Sequence, residues 1–150
     1  MIKELLENIN KKISAIHRLV GFTNLVTWES MVAIDWNVDE VLMIGETTNV
    51  KLSETDYHIR IRTTMPSGSS FTPSHYHDFV EFCTVIAGEM YEPLIDRRVG
   101  LGGRICYGVA EPHEVTNDKP ETTVLIVDWI RTEDTKEAIE YLDKIILPKT

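Results

Sequence analysis

Between Gly21 and Arg131 the chain consists of short runs rich in Val, Ile, Thr, Tyr and Trp, broken by turn residues and lacking helix-length periodicity. This pattern limits the fold more than any other feature. It predicts strands at Val41–Ile44, Tyr57–Met65, Glu81–Ile86, Arg104–Tyr107 and Thr123–Ile130. Turns are expected at Pro66-Ser67-Gly68, Ala87-Gly88, Gly102-Gly103, Glu111-Pro112 and Asn117-Asp118. Many short strands at such spacing argue for an all-β sandwich or barrel rather than a parallel α/β sheet.

Both ends of the sequence read differently. Ile2, Leu5, Leu6, Ile9, Ile13, Ile16, Leu19 and Val20 step by three or four before Gly21, which predicts an amphipathic helix with His17 on its exposed side. Asp134 with Glu137 reads as a capping box that opens a shorter helix, stopped by Pro148. With no linker, repeat or low-complexity stretch, one domain is expected over residues 1–150. Its parts are helical arms at 1–21 and 132–150 and a β-barrel at 22–131.

The 150 residues are enough to bury roughly two thirds of the unfolded surface without staples. Fifteen Lys and Arg against 24 Asp and Glu give a formal charge of −9, with no basic run to offset it. That balance disfavours nucleic acid and anionic membranes as partners. Cys83 and Cys106 lack a C-x-x-C spacing, and no signal-like or membrane-length apolar run is present. Free thiols in a reducing cytoplasm are the expectation.

The segment that carries chemistry runs from Gly68 through His75-Tyr-His77 to Glu81 and Gly88. Alternate side chains of a strand share a face, so His75 and His77 can present imidazole nitrogens to one ion. Glu81 follows a bend expected at Asp78-Phe79 and can return a carboxylate to the same point, while His113 sits beside the Glu111-Pro112 turn. Three neutral imidazoles and one carboxylate suit one divalent transition metal per chain, whether Fe, Mn, Ni, Cu or Zn, without selecting among them. Calcium would prefer oxygen throughout.

Gly68 to Gly88 resembles the first motif of the cupin superfamily: a glycine, H-x-H, three residues, a glutamate, six residues and a glycine, here with one extra residue before His75. Gly102 to Asn117 resembles the second motif, which ends in a histidine, three residues and an asparagine, here His113 and Asn117. This second stretch departs further: Cys106 replaces a usual proline, and His113 comes two residues later than the common spacing, which points to a longer loop before it. Together the two stretches cover about a quarter of the chain. The resemblance implies a double-stranded β-helix, a small jelly-roll barrel, with metal held inside by His75, His77, Glu81 and His113. It also implies a homodimer. The family hosts dioxygenases, isomerases, epimerases, decarboxylases, lyases, sensors and storage proteins, so the fold alone selects no reaction.

Other residues have two readings each. His58, Arg60 and Arg62 share one face of a predicted strand. Facing inward they would contact an anionic substrate; facing outward they would form a solvated or dimer-contact surface. The outward reading is the better one, because Tyr57, Ile59 and Ile61 make the stronger core face. Alternation from Glu81 turns Cys83 and Val85 toward the metal side, where Cys83 is either plain packing or a neighbour of metal and substrate. Tyr91 and Tyr107 are candidate proton donors or acceptors, and Asp128 a candidate substrate contact, near predicted strand ends.

Two functions compete. In the first, a small metalloenzyme, an ion of net charge near +1 stabilises a bound carboxylate, enediolate or oxygen-derived anion. Dioxygenation or isomerisation of a small oxygen-rich acid fits this site, with Glu81 as the available base if it leaves the metal. In the second, a binding or sensing cupin, the metal orients a small-molecule ligand and a partner protein reads the result.

Overall fold

The computed structural model describes residues 24–71 and 73–145. The predicted N-terminal helix with His17, and the end of the predicted C-terminal helix at 146–150, lie outside the described residues. The elements in chain order are β1 (Leu25–Val26), α1 (Trp28–Val32), β2 (Val41–Ile44), β3 (Thr47–Glu54), β4 (His58–Met65) and β5 (Tyr76–His77). Then follow β6 (Val80–Ala87), β7 (Met90–Glu92), β8 (Arg97–Val99), β9 (Arg104–Tyr107), β10 (Thr123–Ile130) and α2 (Thr135–Leu142).

One antiparallel sheet has the order β2-β3-β4-β10-β6-β9. Facing it, the parallel pair β1-β5 and the hairpin β7-β8 are joined through residues 113–116 by the bridges His75↔His113, Ser70↔Thr116 and Tyr91↔Thr116. Side chains from both layers, among them Ile61, Leu125 and Trp129 from the large sheet and Met90, Val99 and Val115 opposite, share one buried cluster. The expected all-β barrel is therefore what forms.

Most strands that sequence patterning found carry apolar residues on both faces, although β2, at the sheet edge, leaves Val41 exposed. β10 reads as a nearly continuous apolar run because Leu125, Val127 and Trp129 enter the barrel while Ile130 packs outside it with Val80 and Phe82 against Ala138 and Leu142 of α2. Burying Leu142 completely contributes roughly 1.5–3 kcal/mol to holding α2 on the sheet. Asp134 caps α2 as expected, accepting from the Lys136 and Glu137 N–H groups. The Glu137 carboxylate does not complete the box; it accepts from Tyr57 and Thr132 instead.

The short strands β1, β7 and β8 are not among those expected, and two further departures have a clear physical reason. β3 has no apolar alternation because its buried face is Thr47, Asn49 and Lys51. Those polar groups are paired: Asn49 bonds Leu42 and Thr47, and the Lys51 ammonium donates to the Trp36 carbonyl and Glu54 at 2.6 Å each. A helix, α1, also stands inside the region read as wholly β. Its five residues are too few to show periodicity, and a reciprocal Thr27–Ser30 box starts it.

Candidate metal centre

His77 on β5, His75 immediately before it and Glu81 on β6 are the first three candidate ligands. Asp78 and Phe79 separate the strands; the Asp78 carboxylate accepts from the Trp28 N–H at 2.9 Å and the Phe79 ring stacks on His77 with centroids 4.4 Å apart. This fixes the bend that returns Glu81 toward His77. The fourth, His113, is brought across by paired backbone bonds between it and His75, 2.9 and 3.1 Å long. Residues 108–112 form the loop that leads into His113. Ala110 adopts φ 63 and donates its N–H to the His77 carbonyl, while Glu111 Oε2 accepts from the Gly108 N–H.

The ligand nitrogens of His75, His77 and His113 lie within 4.8 Å of one another. Glu81 closes the group: Oε2 is 3.1 Å from His113 Nε2, and Oε1 is 3.4 Å from His77 Nε2. The Trp129 indole N–H donates to Glu81 Oε1 at 2.6 Å, and the Cys83 thiol points at Oε2 from 3.8 Å.

The donor chemistry fits a transition metal. His113 Nδ1 is 3.0 Å from the Glu111 carbonyl, which only accepts, so Nδ1 carries the proton. In the neutral ring Nε2 then presents a lone pair to Glu81 Oε2 and to His77 Nε2, 3.2 Å away. Acceptors that converge this way require a shared proton or a cation among them. His77 Nδ1 is buried and has no hydrogen-bond partner among the described residues.

Electrostatics keep His75 neutral and couple Glu81 with His113 as a pair sharing positive charge, the place a cation would take. Burial lowers His75 to about 3, with His113 and His77 adding to the effect, so its ring stays neutral and able to ligate. Burial alone would raise Glu81, but His113 and His77 outweigh it and hold the carboxyl well below the usual range. For His113 burial works downward, and the Glu81 charge overcomes it to raise the imidazole.

The cluster lines a cavity of about 240 Å³ whose other walls include Ile34, Trp36, Ile61, Leu125 and Val127. Cys83 lines this cavity and Tyr107 stacks flat on His113, centroids 4.3 Å apart. The Tyr107 hydroxyl is committed to Glu92 at 2.8 Å, and burial, Cys83 and Glu92 push its phenol far above the ordinary value. Tyr91 lies elsewhere, under the Arg98 guanidinium with its hydroxyl on Asp96.

His58, Arg60 and Asp128 are brought together, but on the other face of the sheet. Ile59 and Ile61 do face the core, so the outward placement is observed. The solvated surface expected there is not: His58, Arg60 and Asp128 are all buried, and only Arg62 of the three strand residues is exposed. His58 Nε2 and Arg60 Nε each lie 2.6 Å from Asp128 Oδ1, while His58 Nδ1 meets the Tyr141 hydroxyl of α2 at 3.1 Å. Sequence reading missed Trp129, because its role depends on standing directly opposite Glu81 in the β10–β6 register.

No protein-family model and no curated protein matches this chain. Solved structures do. A Klebsiella pneumoniae protein with a double-stranded β-helix domain superposes with a TM-score of 0.53 at 21% identity, over 59% of this chain and 75% of that one. An RmlC-like cupin from Shewanella frigidimarina gives 0.56 at 14% identity, over 67% and 93%. The polyketide cyclase RemF from Streptomyces resistomycificus gives 0.54 at 22%, over 62% and 74%. Likeness at these identities speaks to architecture, and the architecture is unambiguous: the chain has the double-stranded β-helix fold of the cupins.

Proposed function

We propose that the protein is a metal-dependent cupin enzyme of the dioxygenase or isomerase type, holding one divalent transition metal through His75, His77, Glu81 and His113. The observation that carries this reading is the convergence of three imidazoles within 4.8 Å on the wall of a cavity large enough for a small molecule. A bound divalent ion would supply Lewis acidity to a substrate oxygen. The protein's own contribution is placement. The Glu111 carbonyl sets the His113 tautomer, Phe79 holds the His77 ring plane, and Trp129 fixes the Glu81 carboxylate.

A second reading, a cupin that binds a small molecule without converting it, draws on one observation. Glu81 is the carboxylate on the described cavity wall, and it is restrained by Trp129, His77 and His113, while Tyr107 is tied to Glu92. Neither group is free to shuttle protons without rearrangement.

Elemental analysis of the protein expressed with Fe, Mn and Zn supplied, beside His77→Ala, tests the metal. The expected result is close to one equivalent in the wild type and loss in the variant; less than about a tenth of an equivalent in the wild type sinks the reading. Oxygen uptake and substrate turnover with a panel of small acids and diols then separate dioxygenase, isomerase and binding protein. A homodimer in the cytoplasm is proposed with this reading, and among the described residues no helix is long and apolar enough to cross a membrane.

A further inference from the structure

We infer that the cavity takes a compact molecule with an apolar, ring-sized body and one oxygen-bearing head, and that it rejects sugars, polyols and phosphate esters. The place of the head rests on the metal reading above; the body does not.

The ionisable side chains on the described cavity wall, Cys83 apart, form one cluster. They are His75, His77, Glu81 and His113, and the remainder is walled by side chains such as Met31, Ile34, Trp36, Ile61, Leu125 and Val127. No Lys, Arg or Asp is among the described lining residues, so away from the four candidate ligands nothing on the described wall would neutralise a phosphate.

Away from that cluster the polar side chains on the wall are Asn49, Thr63 and Ser70, and the first two are bonded within the sheet. Thr63 donates its hydroxyl to Asn49 Oδ1 at 2.7 Å. The Asn49 amide donates to the Leu42 carbonyl and to Thr47 Oγ1. Both residues are buried and their donors are spent within the sheet, so neither offers a hydrogen to a row of ligand hydroxyls. A polyol entering this space would give up its bonds to water without replacement, whereas a hydrocarbon ring loses nothing and gains contact with Trp36 and Trp129. At about 240 Å³ the space lies below the roughly 300–1,000 Å³ of drug-sized sites, which sets the body at one or two rings.

The test titrates naphthoic acid, gluconate and glucose phosphate into the full-length protein, by calorimetry and tryptophan fluorescence, in metal-loaded and chelator-treated forms of measured metal content. Naphthoic acid is expected to bind more tightly than either comparator by on the order of tenfold or more, in both forms, and more tightly still with metal. Gluconate or glucose phosphate binding as well as naphthoic acid overturns the inference. Ile44→Trp and Met31→Trp fill the cavity from partly buried positions. Each is expected to weaken naphthoic acid about tenfold with metal content and melting temperature unchanged, and wild-type affinity in both, once folded, also overturns it. A protein that takes up no metal yet binds naphthoic acid over gluconate refutes the metal reading and supports the apolar body.

Discussion

Trp129 and Glu81 face each other across β10 and β6, and the indole N–H of one donates to the carboxylate of the other at 2.6 Å. The contact aims the carboxylate at His77 and His113. Trp129→Phe keeps an aromatic, though smaller, ring and deletes the donor, so Glu81 loses its restraint. Metal affinity should fall about 10- to 100-fold, measured by competition with a chromophoric chelator, while the fold persists. Unchanged affinity would mean that the indole only packs.

Asp128 holds the His58–Arg60 pair on the far side of the sheet from the cavity, with all three side chains buried. Asp128→Asn leaves the Arg60 charge without its carboxylate in a buried setting. The cost should be about 3–5 kcal/mol in urea unfolding, with metal content unaltered. Loss of metal at wild-type stability would instead assign Asp128 to the site.

Cys106 provides a pH test. Burial raises its thiol from 9.0 to about 11, with Glu111 and Glu81 adding to the effect. The folded value exceeds the unfolded one, so this contribution to stability is complete below pH 9.0 and is lost as pH rises through about 11. Alkylation of Cys106 by iodoacetamide should be slow at pH 8 and accelerate up to about pH 11, read by mass spectrometry. Buried Cys83, whose thiol is raised further by burial, Glu81 and Asp128, should stay unmodified until the protein unfolds. Rapid labelling of either at pH 8 in native buffer would contradict the burial described.

Gly88 closes the β6–β7 turn at φ 75, where an added Cβ would stand 2.7 Å from the Thr122 carbonyl oxygen. Strain in φ and the clash act together. Gly88→Ala should cost about 1–3 kcal/mol, seen as a lower urea midpoint with an unchanged m-value. Gly45→Ala, where φ is 58 but the space is open, should cost less.

The sequence by itself determined the strands with a regular apolar pattern, the Asp134 cap and the set of four potential ligands. Each of these depends on near neighbours: alternation along β6 turns Glu81 and Cys83 inward whatever they face. The H-x-H spacing likewise places two imidazoles together before any long-range contact forms. β3 was illegible because its buried face is polar and becomes compatible with the interior only through partners on β2, on β4 and at Trp36.

Only the tertiary structure decided the rest. That His113 reaches His75 depends on a loop held by Ala110 and Glu111, and that Trp129 meets Glu81 depends on register between strands 48 residues apart. Placing His58 and Arg60 outward left open whether water or protein would cover them; α2, folding back over the sheet, decides it through Tyr141. The apolar character of the cavity follows for the same reason. Hydrogen bonding between Asn49 and Thr63 is a property of paired strands, and it removes from the wall polarity that their one-letter codes would have placed there.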